Sequence, residues 1–194
     1  MFDPRGPVLG IDPGLSRCGY GAVAGRGRDM RAVAYGVIAT APADPLPERL
    51  AQLASELDTL VAELRPSALA VERVLFQNNA RTAISVGQAS GLALVAAARV
   101  GIPVTQYSPN EVKLAVAGHG GADKEQVQLM VTRLLHLGEV PRPPDAADAL
   151  ALALCHQWAA PLHGRIADAS ERTPAPATSG YDRAVAAALA KEST

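Results

Sequence analysis

The sequence predicts an α/β fold in which a mixed five-stranded sheet carries helices on both of its faces. Three strand-like runs follow one another closely near the N-terminus, as in an antiparallel meander. A long leucine stripe with helical spacing comes next, and short apolar runs then alternate with helical stretches. Because crossovers to parallel strands are right-handed, this order places helices on both sides of one sheet.

The first strand is the apolar run at residues 8–11, which is too short for a free-standing helix and suits a buried strand. Asp12 ends this run, and Pro13-Gly14 then force a turn. Alternating apolar residues resume at Tyr20, and residues 31–40 form a third strand. A carboxylate at the edge of a buried strand is costly unless a cation meets it, so Asp12 needs a cationic partner.

Leucines at alternating steps of four and three predict the first helix, which Pro66 closes. Residues 68–71 suit a buried parallel strand that ends at Glu72, and a helix over residues 84–99 follows a polar loop. Residues 101–104 begin a short fifth strand. The leucines of the stripe are Leu46, Leu50, Leu53, Leu57, Leu60 and Leu64.

The remaining helices are predicted from their first residues. Ser108 caps a helix that has Pro109 at its first position and Glu111 in the capping-box place. Asp123 caps the next helix, and Asp145 opens a last, almost wholly apolar one. We therefore predict one domain over residues 1–160, followed by a flexible tail over residues 161–194, in which residues 172–180 are of low complexity.

Composition narrows the class of protein. The chain has 194 residues, of which 48% are hydrophobic, so it suits one globular domain with an ordinary core. Its 18 basic and 19 acidic residues argue against a strongly basic nucleic-acid binder, although a local basic face stays compatible with them. Cys18 and Cys155 have no metal or redox spacing. We expect no signal peptide, no run apolar enough to span a bilayer, and a cytoplasmic location.

Four acids stand where a core element ends. Asp12 and Glu72 end strands that become parallel neighbours, and ligands of open α/β sheets bind at such carboxyl ends. Asp145 and Asp148 are three apart and share one helix face, so they can close the same cluster. Taken singly, each acid is also compatible with an ordinary turn, strand-end or helix-start role.

Together, four converging carboxylates would repel one another and their pKa values would rise. Divalent metal ions relieve that repulsion, and oxygen-rich acidic sites suit magnesium or manganese. Two such ions about 4 Å apart can activate a water and stabilise a leaving oxygen in phosphoryl displacement. The acids therefore predict a magnesium site with two ions, for which manganese can substitute.

The ordered set of motifs resembles the RuvC family of bacterial Holliday-junction resolvases over residues 8–159. Each motif is weak alone, and their order and spacing make the set specific. The motifs are Gly10-Ile11-Asp12-Pro13-Gly14, Gly19-Tyr20-Gly21, Val71-Glu72, Asn78-Asn79-Ala80, Gly87-Gln88-Ala89 and Asp145-Ala146-Ala147-Asp148-Ala149.

This resemblance implies an RNase H-like fold and a homodimer that nicks two strands of a four-way DNA junction symmetrically, leaving 5′-phosphate and 3′-hydroxyl ends. It implies a function in recombination and repair, with the RuvA–RuvB branch-migration complex as partner. Asp12, Glu72, Asp145 and Asp148 match the family's metal-binding acids. Lys113 and Lys124 match basic residues that the family uses near the scissile phosphate, although solvated surface lysines would look the same.

The polar loop after Glu72 adds three candidate DNA contacts. Arg73 and Arg81 are its cations, and Phe76 either stacks on a base of the opened junction or packs against Leu75.

Some alternatives stay open at this point. Gly87 and Gly91 in the second helix indicate close approach of another backbone, either the chain's own sheet or a second subunit. A junction-binding architectural protein without catalysis is the alternative function. An actin-like nucleotide-binding fold shares the Asp12-Pro13-Gly14 turn, but such enzymes need two lobes and this chain has one.

Overall fold

Five strands form one mixed sheet at the centre of the structure. The computed structural model of the chain describes residues 6–74 and 80–172, and of residues 80–82 and 160–172 it describes the backbone alone. The strands lie in the order β3-β2-β1-β4-β5, with β1 antiparallel to β2 and parallel to β4. They are β1 (Val8–Asp12), β2 (Arg17–Ala24), β3 (Arg31–Ala39), β4 (Ala68–Glu72) and β5 (Val104–Tyr107).

Helices cover both faces of this sheet, as predicted. Neighbouring residues of β1 point to opposite faces, so Val8 packs in one cluster with Leu150 and Val131, and Leu9 in the other with Leu53. The first and second helices therefore lie on one face, and the remaining three on the other. The helices are α1 (Leu46–Leu64), α2 (Ala80–Val100), α3 (Pro109–Ala117), α4 (Lys124–Leu134) and α5 (Pro144–Arg172).

The predicted helix starts at Ser108 and Asp123 are confirmed. Both residues make reciprocal capping boxes, because each side chain accepts a hydrogen bond from the backbone N–H three residues later while that residue's side chain bonds back. The strand β5 begins at Val104, later than the prediction from residue 101. Gly101 takes a positive φ of 72°, and the Ile102 N–H donates to the Ala97 carbonyl, so this segment closes α2 instead of extending the sheet.

The helix α5 lies directly on the sheet because glycines occupy the contact. A Cβ on Gly10 of β1 would collide with the Ala149 carbonyl oxygen, and a Cβ on Gly19 of β2 would collide with that of Asp145. Glycine is the residue that lets two backbones approach this closely. The contact fixes the first turn of α5 beside the end of β1.

The expectation that no run is apolar enough to span a bilayer is wrong on length and composition. The segment Ala83–Val100 of α2 meets both criteria, although 28% of it is buried inside the protein. Core helices of soluble proteins meet the same criteria. Ala89, Ala93 and Ala97 of this helix pack on the sheet, which explains part of its apolar composition.

The chain divides into two compact units, Met1–Ala159 and Ala160–Thr194. The backbone of α5 continues to Arg172. The predicted nuclease domain over residues 1–160 and tail over residues 161–194 stay predictions.

Candidate active site

The carboxyl ends of the two central parallel strands bring Asp12 and Glu72 together. Ile11 of β1 pairs with Val71 of β4, so the acid that follows each of them stands at the same edge of the sheet. The two carboxyl groups share a hydrogen bond. They line a pocket of about 410 Å³ together with Asp148.

Two lysines, which the family resemblance implies near the scissile phosphate, line the same pocket. Lys113 projects from α3, and Lys124 from the first residue of α4. The Lys124 Nζ lies 2.6 Å from Asp148 Oδ2. Three of the four predicted acids and both predicted lysines therefore meet in one place.

The fourth acid, Asp145, lies beside this pocket and is turned toward a different cation. Arg17, at the start of β2, donates from Nε and Nη2 to Asp145 Oδ2, at 3.1 Å and 2.7 Å. Sequence reasoning missed Arg17. The hairpin could have revealed it, because β2 begins where β1 ends and its first residue must stand near Asp12.

The turn that carries Arg17 is held by α1, a second feature that sequence reasoning missed. The buried Thr40 hydroxyl donates to the Leu15 carbonyl at 2.7 Å. Arg49 donates to Thr40 Oγ1 at 2.9 Å and to Ser16 Oγ at 2.6 Å. These bonds tie the β1–β2 turn to α1 and fix the residue that precedes Arg17.

The pKa values show that the acids in the pocket are poorly compensated. Burial, then the charges of Glu72 and Asp148, raise the pKa of Asp12 to about 8. Burial also raises the pKa of Glu72, although its hydrogen bond with Asp12 opposes this shift. The pKa of Asp148 is raised by burial despite the nearby Lys124 ammonium. At neutral pH the pocket therefore retains a proton shared between carboxyl groups.

Asp145 behaves in the opposite way. Burial acts to raise its pKa, but the hydrogen bond from Arg17, with smaller contributions that include the Arg17 and Lys124 charges, leaves this pKa below its ordinary value. Asp145 is therefore an ionised carboxylate whose charge is balanced chiefly by Arg17, which lies outside the pocket lining.

The donor chemistry of the site fits a hard divalent cation. Carboxylate oxygens are the ligands that magnesium and manganese prefer, and raised pKa values mark repulsion that such a cation relieves. Among the described residues, however, no three acids are grouped as they would be around a metal ion. Instead, Arg17 contacts one oxygen of Asp145, and Lys124 contacts one oxygen of Asp148.

The other predicted DNA contacts are less central. Arg73 is exposed and donates to the Gln106 carbonyl at 3.1 Å, which ties the end of β4 to β5. Phe76 lies outside the described residues, and so does the side chain of Arg81, whose backbone begins α2. All three contacts stay predictions.

The raised pKa of Asp12 predicts an unusual pH dependence of stability in the metal-free protein. Asp12 has its pKa at about 8 when folded and near 3.8 when unfolded, so between these values the folded state binds more protons. The free energy of unfolding therefore falls as pH rises from about 4 to about 8. In EDTA, Asp12→Asn should flatten this fall, changing the difference in melting temperature across the range by at least ~2 °C.

Thermal unfolding followed by circular dichroism at a series of pH values measures this slope. Asp58→Asn is the control, because Asp58 of α1 pairs with Arg99 of α2 and neither residue lines the pocket. An Asp12→Asn slope equal to that of the unmutated protein would contradict the assignment.

Comparison with known proteins gives a consistent result. The family model "Crossover junction endodeoxyribonuclease RuvC" matches residues 8–156. The chain is 57% identical over 166 residues to the protein of that name from Salinispora arenicola, covering 85% of this chain and 95% of the relative. It is 50% identical over 169 residues to the one from Saccharopolyspora erythraea, covering 87% of this chain and 85% of the relative.

A solved structure agrees with this match. The structure of T. thermophilus RuvC in complex with Holliday junction substrate superposes with a TM-score of 0.78 at 43% identity, covering 81% of this chain and 96% of that one. The predicted RNase H-like fold is thereby confirmed, and the actin-like alternative is wrong. The chain belongs to the RuvC family of crossover junction endodeoxyribonucleases.

Proposed function

We propose that this chain resolves Holliday junctions by nicking two strands symmetrically, which leaves 5′-phosphate and 3′-hydroxyl ends for a ligase. The observation that carries the proposal is the pocket that joins Asp12, Glu72 and Asp148 to Lys113 and Lys124. Carboxylates whose charges are not balanced by nearby cations are suited to bind metal ions. Lysines beside them can neutralise the charge of a DNA phosphate. The curated relatives carry the name of this activity.

The family consists of metal-dependent nucleases, and magnesium is the ion we propose here, two per site, with manganese as a substitute. Asp12, Glu72, Asp145 and Asp148 would hold these ions, which when bound activate a water and stabilise the leaving oxygen. Lys124 neutralises part of the charge on Asp148 and stands where a phosphate would enter. Lys113, on the opposite helix α3, supplies a second cation for that phosphate.

Nicking of a synthetic immobile four-way junction tests the proposal, with and without magnesium, on a denaturing gel. Paired symmetric nicks that need metal and are absent on plain duplex support a resolvase. Binding without nicking, across a panel of junction sequences and divalent metals, would favour the architectural protein without catalysis.

Lys113→Ala should weaken junction binding and reduce its salt dependence. A lysine that neutralises one phosphate releases condensed counterions, so its loss should make the slope of log affinity against log salt shallower by about 0.7–0.9. Fluorescence anisotropy in EDTA at several salt concentrations measures the slope. Arg28→Ala is the control, because Arg28 is exposed at the opposite end of β2 from the acids. An unchanged slope for Lys113→Ala would mean that this lysine is only a solvated surface residue.

We also propose that α2 forms the homodimer interface. In the described part of the chain nothing lies within 4 Å of a Cβ placed on Gly87 or Gly91, so packing on the chain's own sheet does not account for these glycines. Ile84 and Val95 are 62% and 47% exposed, and their spacing puts them on the same helix face as the glycines. A face that is apolar, open and glycine-lined suits a second copy of the helix.

Gly91→Leu should dissociate the dimer without unfolding the subunit. The leucine has open space in one subunit, whereas in a close helix pair overpacking costs about 1–3 kcal/mol, so the dimer dissociation constant should rise by roughly 5- to 150-fold. Sedimentation velocity measures this change. Ala51→Leu, on the exposed face of α1, is the matched control. A Gly91→Leu protein as dimeric as the control would place the interface elsewhere.

The cellular location and the partner complex are proposed on the same basis. We infer that the chain acts in the cytoplasm, where bacterial DNA lies, and that the RuvA–RuvB complex is its partner in branch migration. Both assignments rest on the family match over residues 8–156.

A further inference from the structure

Arg17 lies beside the candidate active site, in an ion pair with Asp145. It is the first residue of β2, directly after the turn that follows Asp12. Its side chain is 51% exposed although it is paired with Asp145. An ion pair this exposed contributes only about 0–1 kcal/mol to stability, so holding the fold together does not explain its placement.

Within the part of the chain that the structure describes, the Arg17 guanidinium uses two of its donors. Its Nε and Nη2 both donate to a single oxygen of Asp145. Arginine has five N–H groups, so three remain available for another planar or tetrahedral oxyanion. Arginine forms its strongest charge-assisted bonds with carboxylates and phosphates, and it can contact both at once.

Arg17 also approaches the acids from a different element of the fold than the two lysines do. In the sheet, β2 lies on one side of β1, and β4 with β5 lies on the other. Lys113 belongs to α3, which directly follows β5, and both lysines line the pocket whereas Arg17 does not. The strand that carries Asp12 therefore lies between β2, which begins with Arg17, and the strands β4 and β5, the second of which α3 follows.

A nucleic-acid strand whose reacting phosphate lies over Asp12 must continue in both directions. One strand carries a negative charge about every 3.4 Å along the helix axis, so phosphates adjoin the reacting one on both sides. Lys113 and Lys124 approach the reacting phosphate from one side. On the other side, Arg17 is an exposed cation that Asp145 holds in place.

We propose that Arg17 binds a backbone phosphate of the cleaved DNA strand, next to the scissile one and on the flank opposite Lys113 and Lys124. This inference rests on the proposed junction binding. The same guanidinium bridges that phosphate to Asp145, so it links the position of the strand to the position of an acid of the site.

The test compares Arg17→Gln, Arg17→Lys and the unmutated protein for junction binding in EDTA at several salt concentrations. Arg17→Gln should lower the affinity and make the salt slope shallower by about 0.7–0.9, because one phosphate contact is lost. Arg17→Lys keeps a cation and should retain the slope. Arg99→Gln is the matched control. Like Arg17, Arg99 makes a 2.7 Å ion pair with an aspartate, but that pair joins α2 to α1.

The possible results distinguish a failure of the proposed junction binding from a failure of the proposed contact between Arg17 and a phosphate. If the unmutated protein does not prefer junctions to duplex, the proposed function fails. If the protein prefers junctions and Arg17→Gln keeps the salt slope of the unmutated protein, Arg17 does not contact a phosphate. A lower cleavage rate would not change that conclusion, because it would follow from a displaced Asp145. Melting temperatures within those of the Arg99→Gln control establish that a lost slope does not reflect unfolding.

Discussion

Asp148→Asn is expected to abolish junction cleavage while junction binding persists. The asparagine keeps the shape of the side chain but removes a charged oxygen donor from the pocket that Asp148 shares with Asp12 and Glu72. Losing even an outer partner of a metal ligand costs 10–100-fold, so losing the proposed ligand itself should cost at least ~100-fold in cleavage rate. Binding should be retained or slightly tightened, because the substitution removes one negative charge beside the phosphate.

Single-turnover nicking in magnesium and fluorescence anisotropy in EDTA measure the two properties separately. Asp58→Asn is the matched control, since it also removes a carboxylate 2.7 Å from a basic side chain, but on the outer helices. Cleavage by Asp148→Asn at a rate close to that of Asp58→Asn would remove Asp148 from the metal site. Loss of binding by Asp148→Asn alone would instead indicate that its carboxylate, paired with Lys124, organises the DNA contact.

The elements that local sequence determines were predicted well. The strands β1 and β4 are continuous apolar runs that the structure buries on both faces, and each ends at the predicted acid. The starts of α3 and α4 follow from capping boxes, which are complete within four residues. In these cases the physical cause of the structure lies within the segment itself, so a single sequence suffices to infer it.

Features that depend on distant contacts were not predictable in the same way. The helix α2 begins at Ala80, whereas the sequence predicted its start at Ile84. The residues between these two positions give no periodic apolar signal, so the pattern could not place them in the helix. The bond between Arg17 and Asp145 joins residues that are 128 positions apart, and no local pattern indicates such a partner. The four acids could be nominated because each ends an element, whereas the cation that each one meets depends on how α5 sits on the sheet.

The placement of α5 predicts the largest effect on stability, from Gly10→Ala. The added methyl would overlap the Ala149 carbonyl oxygen and stand 2.9 Å from the Ala153 backbone nitrogen. Both atoms belong to the backbone of α5, so no side-chain rotation can relieve the overlap. Forcing the helix off the sheet should lower the free energy of unfolding by about 3 kcal/mol or more, the upper end for overpacked cores.

Urea denaturation measures this loss, and Gly138→Ala is the control. Gly138 has no positive φ and, in the described part of the chain, nothing lies within 4 Å of a Cβ placed there, so its substitution should leave stability nearly unchanged. A Gly10→Ala protein as stable as Gly138→Ala would show that α5 is not seated directly on β1.

The same substitution should also impair the site, because α5 carries Asp145 and Asp148 in its first turns. At temperatures where Gly10→Ala is still folded, we expect a lower cleavage rate together with weaker binding of manganese, measured by the loss of free-ion signal in electron paramagnetic resonance. Stability lost without any change in manganese affinity would mean that the acids keep their places when the helix shifts. Gly10 would then be needed for stability only, and the close packing of α5 on β1 would not determine the positions of the four acids.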